Sequence, residues 1–152
     1  MSSKDPIFVP AGAGEQLQIL GSVHTNKVTP DRTGGAFIAL EITVPPRCGP
    51  PMHTHETDCE FFYVLEGELT FSHPGGSIVA KPGDFCFLPT GGYHAFRNDS
   101  ENDAKALVVV APGAAAHKFF DEVDRRLHGA IDEPVVADAA SHNGISFGAP
   151  AN

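Results

Sequence analysis

Within eight positions, residues 53–60, the chain reads HTHETDCE. Two histidines and three acidic residues this close together offer imidazole and carboxylate donors, the set that holds a divalent first-row transition metal. His53 and His55 are two apart, and in a strand that spacing puts both imidazoles on one face. Glu60 follows His55 by an odd step, which one straight strand would send to the opposite face. The polar run Glu56-Thr57-Asp58 resolves this by turning the chain, so that Glu60 starts the next strand and points back at the histidines. A fourth candidate comes from PTGGYHAFRN, where His94 follows a glycine-rich turn at the start of another strand. Three neutral imidazoles and one carboxylate suit such a metal, with coordination positions left for water or substrate. Left unpaired in a barrel interior, the same four side chains would be expensive to bury. The Cys59 thiol, beside Glu60, is a further candidate ligand, but strand alternation turns it to the opposite face.

The elements that must position these residues are short strands separated by glycine and proline. Residues 36–44, AFIALEITV, are rich in β-branched and aromatic types, follow Gly34-Gly35 and end at Pro45-Pro46. Residues 60–72 read as a hairpin turning at Glu66-Gly67. Further strands are expected at 77–81, 84–88, 93–97 and 107–110. Turns about every 8–12 residues mark an all-β sandwich or barrel. The end of the chain differs. HKFFDEVDRRL carries Phe119, Val123 and Leu127 at helical spacing, which predicts an amphipathic helix packed on the barrel by one face. A second short helix is expected over 134–142, with Gly144 a natural stop.

The chain has 152 residues and a formal net charge of −9. One domain is expected over 1–152, with its barrel core at about 34–112 and a helical extension at about 115–145. An acidic chain with no basic patch has nothing to hold a nucleic-acid backbone, so no nucleic-acid partner is expected. No apolar run is long enough for a membrane span, and MSSKDPIFVP shows no charged-then-apolar leader pattern. Cys48, Cys59 and Cys86 are odd in number and irregular in spacing, and read as reduced thiols of a cytoplasmic protein.

Two longer patterns can now be read together. Gly49-x3-His53-x-His55-x4-Glu60-x6-Gly67 and Gly83-x5-Pro89-x-Gly91-x2-His94-x3-Asn98 resemble the two cupin motifs, in order and with every ligand position filled. The first departs from the family pattern by having three residues, not five, between its opening glycine and first histidine. The resemblance implies a cupin-type double-stranded β-helix, a jelly-roll barrel, with one or two C-terminal helices. It implies His53, His55, Glu60 and His94 as ligands of one divalent metal ion: iron, manganese, nickel, cobalt, copper or zinc. Within the superfamily, TGGAFIALEITVPP, GPPMHTHETDCEFFYVLEGELTF and APGAAAHKFF are most similar to single-domain cupins related to flavonol (quercetin) 2,3-dioxygenases. That similarity implies a small-molecule substrate, O2 as co-substrate, and a homodimer, often formed by exchange of an N-terminal strand such as residues 7–9 or 16–20.

The remaining candidates divide by spacing. Phe62 shares the face of Glu60 and Phe96 that of His94, so both should point into the barrel near the metal. They read either as an apolar wall for a flat organic substrate or as ordinary filling. His24, His73, His117, His128 and His142 lack partner spacing and read as surface or loop residues, and Glu56 and Asp58 as turn and surface carboxylates. The activity expected is that of a metal-dependent dioxygenase acting on an aromatic, flavonol-like or enol-type molecule, with Glu60 as ligand and general base. The alternatives are a redox-neutral isomerase, cyclase or decarboxylase, and a non-catalytic metal or small-molecule binding module.

Overall fold

The computed structural model describes residues 4–151. It opens with the hairpin of β1 (Glu15–Ile19) and β2 (Ser22–Val28). The two residues between them, Leu20 and Gly21, both have positive φ, as a tight two-residue hairpin turn demands. There follow β3 (Ile38–Val44), β4 (His53–His55), β5 (Cys59–Glu66), β6 (Leu69–His73), β7 (Gly76–Ala80), β8 (Phe85–Leu88), β9 (Ala95–Arg97) and β10 (Ala104–Ala111). Then come α1 (Ala114–Leu127), α2 (Glu133–His142) and a last strand, β11 (Ile145–Phe147).

The strands form two layers. One is a six-stranded antiparallel sheet in the order β1-β2-β3-β10-β5-β8. Its strands alternate buried and exposed positions, as in β3, where Ile38, Leu40, Ile42 and Val44 all face inward. The other layer is built from β7-β6-β9 and β11-β4, joined by a single bridge between His53 and His94. Leu69, Phe71 and Phe96 meet the inward residues of the large sheet to form the core. This is the all-β jelly-roll arrangement expected, with two C-terminal helices. The large sheet starts well before residue 34, because β1 and β2 pair onto β3. Residues 16–19 thus pair within their own chain, and residues 7–9 belong to no strand. Among the described residues no helix is long and apolar enough to cross a membrane.

Helix α1 begins three residues before the amphipathic run that predicted it. Its N-cap, Gly113, has no side chain to cap with. The cap comes instead from Asp58, whose Oδ1 accepts a 2.9 Å hydrogen bond from the Gly113 N–H and whose Oδ2 accepts another, also 2.9 Å, from the Ala116 N–H. The expectation of a surface carboxylate at 58 is therefore corrected: Asp58 is only 2% exposed. A helix start presents unpaired N–H groups and the positive end of its dipole, which together compensate a buried carboxylate. Glu56 is exposed, as expected. The helix buries Phe119, Phe120 and Val123, while Arg126 on its outer side pairs with Glu122 and with Asp138 of α2. At α2, Asp132 caps the N-terminus by accepting from the Val135 N–H, and Gly144, at φ 66°, turns the chain into β11.

Candidate metal centre

The bend at residues 56–57 does more than correct a parity. It carries the chain from one layer to the other, since β4 lies in the smaller layer and β5 in the large sheet. His53 and His55 therefore face Glu60 across the interior. His94 joins them because its backbone and that of His53 exchange two N–H···O=C hydrogen bonds of 2.9 Å each. The His55 carbonyl accepts from the Gly91 N–H at 2.9 Å, which fastens the glycine-rich turn to β4. On its other side β4 is paired by β11, with His53 opposite Phe147 and His55 opposite Ile145. Gly49 serves this assembly by having no side chain: a Cβ there would lie 2.0 Å from the Phe96 carbonyl oxygen.

The result is a buried quartet. One ligand atom from each of His53, His55, Glu60 and His94 lies within 4.8 Å of every other. Glu60 Oε2 is 3.1 Å from His94 Nε2, and Oε1 is 3.5 Å from His55 Nε2. Cys59 is outside the group, half-buried on the outward side of β5. The chemistry of the donors fits a cation. His53 Nδ1 lies 2.8 Å from the Pro51 carbonyl oxygen and His94 Nδ1 lies 3.2 Å from that of Gly92. An Nδ1–H donating to each carbonyl leaves Nε2 of each neutral ring as a lone pair. His55 has no hydrogen-bond partner on either buried ring nitrogen. Lone pairs and a carboxylate converging out of reach of solvent repel one another unless a positive charge sits among them.

In the metal-free protein burial pushes the Glu60 carboxyl up, but at acid pH a proton on His94 Nε2, hydrogen-bonded to the carboxylate, and the charges of protonated His55, His94 and His53 outweigh it and hold the group at about 2. Burial, aided by the neighbouring His94, lowers His53 to about 4, so this ring is neutral and ready to ligate near pH 7.

The cavity beside the quartet is narrow, with a volume of about 50 Å³. Phe62 and Phe96 both line it, 5.1 Å apart between ring centroids, as their strand faces predict. Three more aromatic rings close it: Phe119 and Phe120 from α1 and Phe147 from β11. Sequence reasoning assigned Phe119 to helix packing only, and it did not identify β11 at all. The clearest correction is His24, expected at the surface. It is 6% exposed, lies on the inward face of β2 and lines the cavity. His73, His128 and His142 are exposed, as expected, and His117 is half-buried on α1, 3.4 Å from Asp121.

Burial lowers His24 to about 4, with Glu60 opposing in part. This predicts acid sensitivity of the metal-free protein. Above pH 6.5 neither the folded nor the unfolded chain protonates His24 or His53. Between pH 6.5 and 4 the unfolded chain takes up protons that the folded chain refuses, so stability falls as pH falls. The loss approaches about 3 kcal/mol for each histidine and levels off below pH 4, while Glu60 adds its own loss only below pH 4.5. Urea denaturation of metal-stripped protein at pH 7 and pH 4.5 measures this; equal midpoints would contradict it.

Comparison with known proteins agrees with this geometry. Residues 40–110 match the family model of the cupin domain. The chain is 32% identical over 108 residues to quercetin 2,3-dioxygenase of Bacillus subtilis (strain 168), a match covering 71% of this chain and 32% of that one. It is 34% identical over 75 residues to the oxalate-binding protein of Thermotoga maritima, covering 49% and 62% respectively. The chain thus spans less than two thirds of the length of either relative. Among solved structures, the polyketide cyclase RemF from Streptomyces resistomycificus is similar with a TM-score of 0.62 at 25% identity, covering 69% of this chain and 78% of that one. The two facing layers, both motifs and the matched segment agree: residues 40–110 carry a cupin domain, and the chain has the cupin fold.

Proposed function

We propose that this protein is a metal-dependent dioxygenase acting on a small aromatic or enol-type molecule, flavonol-like in its reacting unit. The observation that carries the reading is the junction of a complete three-histidine, one-carboxylate quartet with a narrow cavity walled by aromatic rings. His53, His55, Glu60 and His94 would hold the metal, which supplies Lewis acidity toward a substrate hydroxyl and a meeting point with O2. Phe62 and Phe96 align a flat ring against the quartet and keep water from it. With the imidazole lone pairs engaged by the metal, Glu60, ionised near neutral pH, would keep a carboxylate oxygen free to take the substrate's proton. The quercetin dioxygenase relative supports this reaction class; the polyketide cyclase supports a redox-neutral alternative at the same site, and the oxalate-binding protein a non-catalytic one. Pairing into a homodimer belongs to the same proposal, and sedimentation in solution measures it.

The test is a screen of flavonols and smaller hydroxy-ketones with an oxygen electrode. O2 uptake matching substrate loss is expected, with Glu60→Gln, assayed after its metal is restored to the parent's content, slowing turnover by about 100-fold or more. Conversion without O2 uptake would replace the dioxygenase by an isomerase, cyclase or decarboxylase.

A further inference from the structure

One strand of the large sheet breaks the inward pattern of its neighbours. The inward residues of β1, β3 and β10 are all aliphatic, from Leu17 and Ile19 to Val108 and Val110. Those of β2 are Ser22, His24 and Asn26, all polar and all buried. Ser22 and His24 open into the cavity, and apart from the metal quartet they are the polar side chains lining it. His24 Nδ1 has no hydrogen-bond partner. A buried ring nitrogen without a partner is destabilising, and an aliphatic residue at this position would avoid it. The ring is nonetheless held in place, edge-to-face with Phe120 at 4.7 Å. In the sheet β2 is separated from β5, which carries Glu60, by β3 and β10. His24 and Glu60 thus reach the same cavity from well-separated strands.

We propose that His24, with the Ser22 hydroxyl beside it on the same face, is a second polar subsite of this cavity, and that the ligand is a flat, two-ended molecule. One end carries oxygens for the metal quartet, an apolar ring lies against Phe62 and Phe96, whose side chains part to admit it, and the other end carries a hydroxyl or carbonyl that hydrogen-bonds His24. A neutral imidazole nitrogen can donate or accept there according to tautomer, so either group is served without introducing a charge. This rests on the reading of the cavity as a substrate site, and it adds a requirement on the end of the substrate remote from the reaction.

The test is binding to zinc-loaded protein, since zinc is redox-inert and no turnover intervenes. The probes are kojic acid and its deoxy analogue allomaltol, which share one chelating hydroxy-ketone ring and differ in a single distal hydroxyl. Calorimetry should show kojic acid binding about tenfold tighter, the worth of one net hydrogen bond. In His24→Phe the two probes should bind within about twofold of each other, with zinc content unchanged, and His24→Gln should recover part of the preference. Independently of any variant, kojic acid but not allomaltol should shift the His24 imidazole nitrogen resonances of the parent protein, which decides the matter if a variant fails to fold. Equal binding of both probes by the parent, or a preference that survives His24→Phe, overturns the His24 subsite and leaves the proposed function standing. Failure of both probes to bind overturns the substrate-site reading and this subsite with it.

Discussion

Replacing His94 with alanine should strip the protein of its metal. Protein purified without added metal is expected to carry about one equivalent of a divalent transition metal, and His94→Ala less than a tenth of that after dialysis, by elemental analysis. His94 is the ligand whose loss should leave the rest of the site most nearly intact. Its tie to His53 runs through the backbone, by paired N–H···O=C bonds that a side-chain change leaves in place. What disappears is the Nε2 lone pair 3.1 Å from Glu60. Loss of a mere support residue around a metal already costs 10- to 100-fold in affinity, and a direct ligand should cost more than about 100-fold. Cys59→Ser serves as the control and should keep its metal, because that thiol lies outside the quartet. Metal retained at parent level by His94→Ala would dismiss the quartet as the binding site.

The largest effect on stability is expected at Asp58, which touches no ligand. Asp58→Ala should destabilise the protein by about 3–5 kcal/mol, read as a shift of the urea midpoint at unchanged slope. Two charge-assisted hydrogen bonds go, and the Gly113 and Ala116 N–H groups are left buried without partners. Asp58→Asn keeps one acceptor oxygen and should fall between. The same variant should bind metal less tightly, because Asp58 lies two residues before Glu60 and fixes the path of that loop. A midpoint within about 0.5 kcal/mol of the parent would show that the helix start is satisfied by water instead.

The candidate quartet could be read from the sequence because its logic is local: a two-residue spacing, a polar bend and a glycine-rich turn each have a backbone meaning over a few residues. The strands bounded by glycine and proline were legible for the same reason. What escaped depended on partners distant in the chain. Strand β2 reads SVHTNKV, and its inward residues are polar, so its alternation carries no hydrophobic signal; only the neighbours Leu17 and Ile42 and the ring of Phe120 show that His24 is inside. Asp58 looked like any turn carboxylate, since nothing near it announces a helix start 55 residues away. Strand β11 is three residues long and is defined by pairing with β4. In hindsight ISF after Gly144 has the right alternation, but so short a run predicts nothing without its partner.

The double use of the loop at residues 56–58 bears on how such a site can be moved between proteins. HTHETDCE has the look of a portable cassette: eight consecutive residues holding three of four donors. It cannot be lifted out. Its length is set at one end by β4 and at the other by a helix that begins at Ala114, and its central aspartate is soluble in the interior only while that helix start is present. A graft of the eight residues into a foreign barrel would bring an uncompensated buried carboxylate with it. The transferable unit is the run together with Gly113 and the first turn of α1, two pieces of chain that are adjacent only in the folded protein.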